Sequence, residues 1–226
     1  MIFFLLLTAA TPPALEHGER DEKRVAITFD LCSAGKYLFD ESVYQSIERL
    51  RVPATIFIGG VWAEKNPQLA RRIAADPLLE VASHSYHHPH LPTLNAQELD
   101  EEFSHSQKAI FEVTGVWPRL LRAPYGEIDQ HVLDAAARQH LTVVQYDLPS
   151  GDPDPALKAD KIVRWVVDTA KDGSIIVMHI NQNGVHTAET FPKIVRELRR
   201  KGFELVTVSQ LLGEANTFSD GAACSM

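Results

Sequence analysis

The chain has 226 residues, a mass of 25.2 kDa, and 45% hydrophobic and 23% charged residues, which is the balance of an ordinary globular protein. This composition excludes a disordered chain, a collagen-like fibre and a protein with several membrane spans. The 22 Lys and Arg against 30 Asp and Glu give a net charge of −8, which argues against nucleic acid as a partner. The ten histidines are unusual in their placement, since four of them lie between positions 84 and 90.

The first 23 residues differ in character from the rest of the chain. Residues 2–7 form an apolar run followed by Ala9 and Ala10, which is typical of the core and cleavage region of a secretory signal. The run is shorter than the about 20 apolar residues that span a bilayer, so no stable membrane span is predicted. No Lys or Arg precedes it, so a mis-set start codon or a truncated precursor is the alternative. We interpret residues 1–23 as an imperfect signal-like segment and N-terminal lead, which predicts a periplasmic or secreted protein.

The two cysteines, Cys32 and Cys224, allow at most one disulfide and do not by themselves indicate the compartment. Cys32 has no evident partner in the sequence that would activate its thiol, so we expect a small buried residue there. Cys224 lies in the Ser/Gly/Ala-rich segment 213–226, which we expect to be a mobile C-terminal tail.

Between these ends, short apolar or β-branched runs alternate with amphipathic stretches. Alternating strands and helices over residues 24–212 predict one α/β domain with a parallel sheet, either a barrel or an open doubly wound sheet. No glycine-rich turn follows the first run, so a nucleotide-binding sheet is not supported. Seven buried strands are predicted at residues 25–29, 54–58, 79–82, 120–122, 142–146, 174–178 and 204–208. Helices are predicted at residues 40–50, with an Asp40 N-cap, and at 67–75, 96–114, 128–139, 160–171 and 188–201.

Polar side chains follow five of the predicted strands, at the point where each strand ends. Because the carboxyl ends of parallel strands meet at one edge of a sheet, we expect these side chains to converge on a single site. They are Asp30 after the first strand, His84 and His88 after the third, Arg122 and Tyr125 after the fourth, Asp147 and then Asp152 after the fifth, and His179 after the sixth.

His84 and His88 form the best candidate pair of metal ligands. Pro89 disfavours a helical conformation at His88, so we expect a tight turn that brings the two imidazoles together. Two histidines and a carboxylate suit a catalytic divalent metal ion, zinc above all, with one position open to water. The alternative is a cluster of solvent-exposed loop histidines, and His87 and His90 are each expected to be bystanders of that kind.

The remaining candidates each have an ordinary structural alternative. Asp30 is a metal ligand or a general base, rather than a residue that caps a turn. Arg122 is expected to orient Asp30 through its bidentate fork, the alternative being a surface salt bridge. His179 emerges from a buried strand, where an isolated histidine is more often a hydrogen-bonded core residue. Asp152 lies in a loop where Asp is common for turn chemistry alone.

Five short motifs, in order, resemble those of the polysaccharide deacetylases of the NodB-homology type, and the resemblance covers about residues 24–212. The second and third motifs match in full. In the fourth, Pro153 stands where the family usually has Trp, and in the fifth Val177 replaces Leu. The motifs lie at residues 28–30 (TFD, resembling TFDD), 84–88 (HSYHH, matching H-[ST]-x-x-H), 122–125 (RAPY, matching R-x-P-Y), 147–152, and 177–179 (VMH, resembling L-x-H).

This resemblance implies a distorted (β/α)7 barrel and a metal ion held by His84, His88 and an Asp. The family's second Asp is the third ligand, and Leu31 stands in its place here. Leucine cannot coordinate a metal ion, so Asp30 is drawn onto the metal, water completes the shell, or Asp40 reaches in. The resemblance also implies that Asp30 is the general base, His179 the general acid, Arg122 the residue that holds Asp30, Tyr125 a backbone oxyanion donor and Asp152 the residue that positions His179.

The sequence therefore predicts a metal-dependent hydrolase that removes acetyl groups from an N-acetylglucosamine-type glycan, such as chitin or peptidoglycan, with metal-activated water and no organic cofactor. A glycan-binding relative that has lost turnover with the second Asp is one alternative, and an amidase acting on a small non-glycan C–N bond is another. Nothing in the sequence indicates an oligomeric state. The tryptophans are either sugar-stacking or core residues, and we expect core packing for at least two of Trp62, Trp117 and Trp165.

Overall fold

The computed structural model of the protein describes residues 11–32, 38–181 and 183–213. The apolar run of the signal-like segment, Cys224 and nearly all of the predicted C-terminal tail lie outside the described residues. Among the helices that are described, none is both long and apolar enough to pass through a bilayer.

Eight strands form one parallel sheet that curls into a distorted barrel, which confirms the predicted single-domain α/β barrel. The strand order is β5-β4-β3-β2-β1-β7-β6, and β8 pairs with the beginning of β1. Within the described residues, no pairing joins β5 to β6, so a seam is left between the two ends of the row. The strands are β1 (Arg24–Leu31), β2 (Ala54–Ile58), β3 (Leu79–Ser83), β4 (Leu120–Leu121), β5 (Thr142–Val143), β6 (Leu148–Pro149), β7 (Ile175–His179) and β8 (Glu204–Val206).

Helices connect the strands and cover the outside of the sheet. Two short helices, Gly60–Lys65 and Val208–Leu211, and the short strand Leu148–Pro149 have no counterpart among the predicted elements. Each is only two to six residues long and carries too little hydrophobic periodicity to be recognised. The helices are α1 (Glu41–Leu50), α2 (Gly60–Lys65), α3 (Pro67–Ala75), α4 (Ala96–Thr114), α5 (Gln130–Arg138), α6 (Ala159–Thr169), α7 (Thr187–Arg200) and α8 (Val208–Leu211), with short 3-10 turns at Leu91–Thr93 and Pro124–Gly126.

The alternation of side chains along β1 separates the core from the site. Phe29 and Leu31 are fully buried in the hydrophobic layer between the sheet and its helices, where Phe29 packs edge-on against Phe191 of α7. Successive side chains of a strand point to opposite faces, so Thr28 and Asp30 face the inside of the barrel. The central strand of the sheet therefore presents Asp30 at its carboxyl end, beside β2 and β7.

The described part of the N-terminal lead lies against the barrel near the seam. Leu15 forms a parallel bridge with Val144, directly after β5, and His17 forms an antiparallel bridge with Ser174, directly before β7. The backbone N–H of Gly18 also donates a hydrogen bond to the carbonyl oxygen of Gly173. Residues 15–18 thus connect the β5 side of the sheet to its β7 side.

Candidate active site

Asp30 and Arg122 form a buried ion pair at the carboxyl ends of the strands. The Arg122 side chain is fully buried, and its Nη1 donates hydrogen bonds to Asp30 Oδ1 at 2.8 Å and to Thr28 Oγ1 at 2.7 Å. Its Nη2 donates to the carbonyl oxygen of Gln145, and its guanidinium carbon lies 4.0 Å from the centre of the Phe57 ring. The expected pairing with Asp30 is therefore present and the surface salt bridge is excluded. The expected bidentate fork is wrong, because the guanidinium divides its donors among Asp30, Thr28 and the carbonyl oxygens of Val144 and Gln145.

His84 and His88 lie side by side in the loop after β3. Their ring centres are 4.9 Å apart, and His88 has the left-handed backbone angle φ of 63° that places it in a tight turn, as expected from Pro89. His84 Nδ1 lies 2.9 Å from the carbonyl oxygen of Arg122. A carbonyl oxygen can only accept, so Nδ1 carries the proton and Nε2 keeps its lone pair for the site. His84 Nε2 lies 3.8 Å from Asp30 Oδ2.

Burial and charge set the protonation of these three groups. Burial lowers the pKa of His84, and burial together with the charge of His84 lowers the pKa of His88 to about 4. Burial raises the pKa of Asp30, but the charges of Arg122, His84 and His179 outweigh that effect and bring it below its ordinary value. Two neutral imidazoles thus face an ionised carboxylate, which is a donor set that fits a divalent metal ion such as zinc.

His179 and Asp152 form a second pair on the opposite side of the site. His179 Nδ1 lies 3.1 Å from Asp152 Oδ1, and the backbone N–H of His179 donates to Asp152 Oδ2. Asp152 is itself buried and also accepts hydrogen bonds from the hydroxyls of Ser150 and Thr187. Burial lowers the pKa of His179, but the hydrogen bond and charge of Asp152 and the charge of Asp30 outweigh it and raise that pKa above its ordinary value.

A cavity of about 510 Å³ joins the two pairs, and Asp30, His84, His88 and His179 all line it. Tyr125 lines its mouth with a ring that is 58% exposed, and a backbone φ of 59° places this residue in a left-handed turn. Pro149 and Pro153 belong to the same wall, along with Asp152. The structure thus brings together the sequence-predicted site residues except Asp147: Asp30, His84, His88, Arg122, Tyr125, Asp152 and His179.

The two remaining histidines of the cluster each pair with a glutamate. His87 Nδ1 lies 2.9 Å from Glu102 Oε2 and His90 Nδ1 lies 2.8 Å from Glu127 Oε2. The His90 ring also stacks on Tyr125, with ring centres 4.3 Å apart and planes inclined by 12°. Sequence reasoning missed this support of Tyr125, because no local pattern links position 90 to position 125.

Asp147 does not belong to the site. It accepts hydrogen bonds from Arg20, from Ser174 and from the backbone N–H of Ile175, the first residue of β7. It therefore lies at the amino end of β7, away from the edge that carries Asp30. The expectation that Asp147 joins the converging residues is wrong, because β6 begins directly after it and only Asp152 follows that strand.

Asp40 does not reach the site, so it is not the carboxylate that replaces the missing second Asp. Its Oδ1 accepts hydrogen bonds from the backbone N–H groups of Ser42 and Val43, as the N-cap of α1. Leu31 is fully buried in the hydrophobic layer and faces away from the cavity. Cys32, in contrast, is buried as expected but lines the cavity beside the histidines.

Replacing Asp40 with Ala is expected to destabilise the protein by about 1 kcal/mol through the loss of the helix cap. Because its carboxylate is engaged in capping and does not reach the cavity, metal content should equal that of the wild type. Urea denaturation and metal analysis of the purified variant test both points. If the purified variant instead contains less bound metal than the wild type, the Asp40 carboxylate is a metal ligand.

The tryptophans differ from expectation. Trp62 is fully buried in the core, whereas Trp117 and Trp165 are each 52% exposed, so the expected core packing of at least two tryptophans is wrong. The indole N–H of Trp165 donates a hydrogen bond to the carbonyl oxygen of Pro149, which lines the cavity. Trp117 instead packs against the exposed ring of Phe111.

With this fold and site, comparison with known proteins identifies the family. The polysaccharide deacetylase family model matches residues 17–144, which is more than half of the chain. The chain therefore belongs to the polysaccharide deacetylase family, and the resemblance drawn from its motifs is confirmed.

Individual relatives agree with this assignment. The chain is 30% identical to the peptidoglycan-N-acetylglucosamine deacetylase PgdA of Listeria monocytogenes, over 86% of this chain and 40% of that protein. The structure of the peptidoglycan N-acetylglucosamine deacetylase Bc1960 superimposes with a TM-score of 0.82 and 26% identity, over 89% of this chain and 94% of the other.

A structure with the same fold is named as an inactive member of the group. BA3943 of Bacillus anthracis, a CE4 family pseudoenzyme, superimposes with a TM-score of 0.80 at 23% identity, over 89% of this chain and 69% of the other. At that identity the similarity concerns the fold alone. The chain spans only 63% and 40% of the length of two of the curated relatives that it matches.

Proposed function

We propose that the protein is a metal-dependent hydrolase that removes acetyl groups from an N-acetylglucosamine-type glycan such as chitin or peptidoglycan. The observation that carries this proposal is that two ion pairs, Asp30 with Arg122 and His179 with Asp152, meet at one cavity with the imidazoles of His84 and His88. The relatives named as peptidoglycan and chitin deacetylases support the substrate class.

His84 and His88 would hold the metal ion, for which we propose zinc. When bound, the ion would supply Lewis-acid chemistry that polarises the acetyl carbonyl and lowers the pKa of water towards about 7. The ionised Asp30 carboxylate accepts a proton from the attacking water, because its Oδ1 is held by Arg122 while its Oδ2 faces the histidines. The Tyr125 backbone N–H donates to the developing oxyanion.

His179 completes the reaction as the general acid. Its Nδ1 is bound to Asp152, so Nε2 is the nitrogen that delivers a proton to the leaving amine of the sugar. Its raised pKa keeps a larger fraction of imidazolium available near neutral pH. The exposed Tyr125 ring at the cavity mouth offers an apolar face on which a sugar ring stacks.

The proposal is tested by acetate release from N-acetylglucosamine oligomers, peptidoglycan and acetylated xylan. We expect release that a chelator abolishes and that added zinc restores. His84→Ala should abolish it, whereas His131→Ala, a matched change of an exposed histidine on α5, should leave it unchanged. If no substrate yields acetate with any divalent metal, the deacetylase proposal is wrong.

A glycan-binding protein without turnover is the second candidate, and the leucine at position 31 favours it. The two candidates separate when binding and acetate release are measured on the same oligomers by calorimetry and enzymatic assay. Calorimetric binding without acetate release supports the binding protein. Acetate release only from small non-glycan amides would instead support an amidase.

The site also predicts the effect of Asp152 on pH dependence. In Asp152→Asn the charge that offsets burial is lost, so the pKa of His179 should fall. The general acid must carry its proton to act. With a lower pKa, His179 loses that proton at a lower pH, so the alkaline limb of the kcat/KM profile should shift to lower pH. Asp154→Asn, which changes an exposed Asp of the same loop, serves as the control. An alkaline limb that stays in place while kcat falls would assign Asp152 a purely structural role.

The relatives and the apolar N-terminal run also support export of the protein to the periplasm or the medium. Fractionation of cells that express the full chain tests this, since an exported form accumulates outside the cytoplasm.

A further inference from the structure

The end of β1 places a cysteine where the barrel faces the histidines. Side chains alternate along a strand, so Asp30 and Cys32 share the inner face while Leu31 points into the hydrophobic layer. A ligand at position 32 instead of position 31 is a cysteine rather than an aspartate, and its side chain lies on the other face of the strand. The chain thus has no carboxylate at position 31 but has a thiol one position further on.

Cys32 Sγ lies close to the two imidazoles. One ligand atom each from Cys32, His84 and His88 lies within 4.8 Å of the other two. Ligands of one zinc ion cannot be further apart than about twice the bond length of about 2.0–2.3 Å, so a small closure of these side chains is enough. Cys32 and His84 are buried and His88 is half-buried.

A buried amide lies beside Cys32. The side-chain amide of Asn181 donates to the Cys32 carbonyl oxygen at 3.1 Å and lies 3.8 Å from Sγ. Hydrogen bonds of this kind from outside the ligand shell fix the position of a metal ligand. The Arg122 carbonyl oxygen accepts a hydrogen bond from His84 Nδ1 and so orients the His84 imidazole. Hydrogen bonds of this kind orient metal-binding histidines in general.

Asp30 is less suited to the third ligand position. Its Oδ1 is engaged by Arg122 at 2.8 Å, and a carboxylate that coordinates a metal ion is a weaker base. With a thiolate on the metal, Asp30 stays available to accept a proton from water. A single cysteine thus lets the site keep both its metal and its base.

We infer that Cys32 is the third protein ligand of a His2Cys metal site formed with His84 and His88. On binding, the thiol gives its proton to solvent as the sulfur–metal bond forms. A soft thiolate selects zinc or cobalt over magnesium and manganese, which favour oxygen ligands. The inference rests on the proposed metal-dependent function, because it concerns the same metal ion.

Titration of the metal-free protein with Co²⁺ tests the inference without reference to activity. The wild type and Cys224→Ser, which changes the only other cysteine, should both show a thiolate-to-cobalt charge-transfer band in the near ultraviolet. Cys32→Ser should lose the band. Its affinity for Co²⁺ should fall by more than the factor of about 10–100 that is typical when only a hydrogen-bond partner of a ligand is lost. Cys32→Asp should recover affinity without the band, and circular dichroism should show that all variants are folded.

X-ray absorption of the zinc-loaded protein is a second test, because it identifies the atoms bound to the metal ion and their distances. We expect one sulfur at about 2.3 Å in the wild type and only nitrogen and oxygen neighbours in Cys32→Ser. One bound metal ion per chain with no sulfur neighbour and no charge-transfer band overturns the inference, and acetate release would then still uphold the proposed function. A sulfur neighbour without acetate release from any glycan supports the inference and overturns the proposed function. A wild type that binds no metal overturns both.

Discussion

Asp30→Asn is expected to lower kcat by about 10²–10⁴-fold, the range typical of a lost general base, while metal content stays at the wild-type value. The amide cannot take a proton from water, but its oxygen still accepts the hydrogen bond from Arg122 Nη1. KM should change little, because the side chain acts on the water rather than on the sugar. Steady-state kinetics and metal analysis of the same preparation provide both measurements.

Asp154→Asn is the matched control, since it makes the same chemical change at an exposed loop position. If metal content falls together with kcat in Asp30→Asn, Asp30 is itself a ligand and not only a base. If kcat does not fall, the proton goes elsewhere and the proposed mechanism is wrong at its first step.

Arg122→Met should be the most destabilising change in the site. The guanidinium is fully buried, so its removal leaves the Asp30 carboxylate without a cation and leaves Thr28 and Gln145 without a donor. Breaking a buried ion pair typically costs about 3–5 kcal/mol of unfolding free energy. Urea denaturation of the metal-free protein measures this loss. Arg138→Met is the control, because Arg138 pairs with Asp100 at the surface, where such pairs contribute at most about 1 kcal/mol.

The unfolding free energy of Arg122→Met should depend on pH differently from that of the wild type. In the wild type the pKa of Asp30 lies below its ordinary value of 3.8, so its ionised form adds stability that is lost as the pH falls through the folded-state pKa. Without Arg122, burial dominates and raises that pKa, so the variant gains stability as the carboxyl becomes protonated. The difference in unfolding free energy should therefore be largest near neutral pH and narrow towards acid pH. A difference that is independent of pH would show that the loss comes from packing alone.

The sequence alone was sufficient to predict the strand ends that carry the chemistry, because parallel β/α connectivity places them at one edge. Arg122 and Asp30 are 92 residues apart, yet each follows its own strand and the two meet at 2.8 Å. Asp147 was assigned to the same edge because β6 has only two residues, one of them Pro149, and carries no recognisable pattern. Once β6 is known, Asp147 precedes a strand and Asp152 follows it.

The placement of Cys32 was within reach of sequence reasoning but was not found. The alternation of side chains along a strand already puts positions 30 and 32 on one face. Comparison with the family motif, however, points only to the replacement of Asp by Leu31. What the sequence could not provide is the 4.8 Å proximity of Sγ to the two imidazoles, because this depends on how the loop after β3 folds back with its left-handed His88.

The link that residues 15–18 make across the seam limits how far the chain can be shortened from its N-terminal side. Thr11 already donates a hydrogen bond to Asp134 on α5, and Leu15 exchanges backbone hydrogen bonds with the chain at Val143 and Gln145. A protease that cut downstream of Leu15 would leave those backbone groups without partners and would open the barrel wall. A shortened chain that keeps these contacts therefore retains every residue from Thr11 onward.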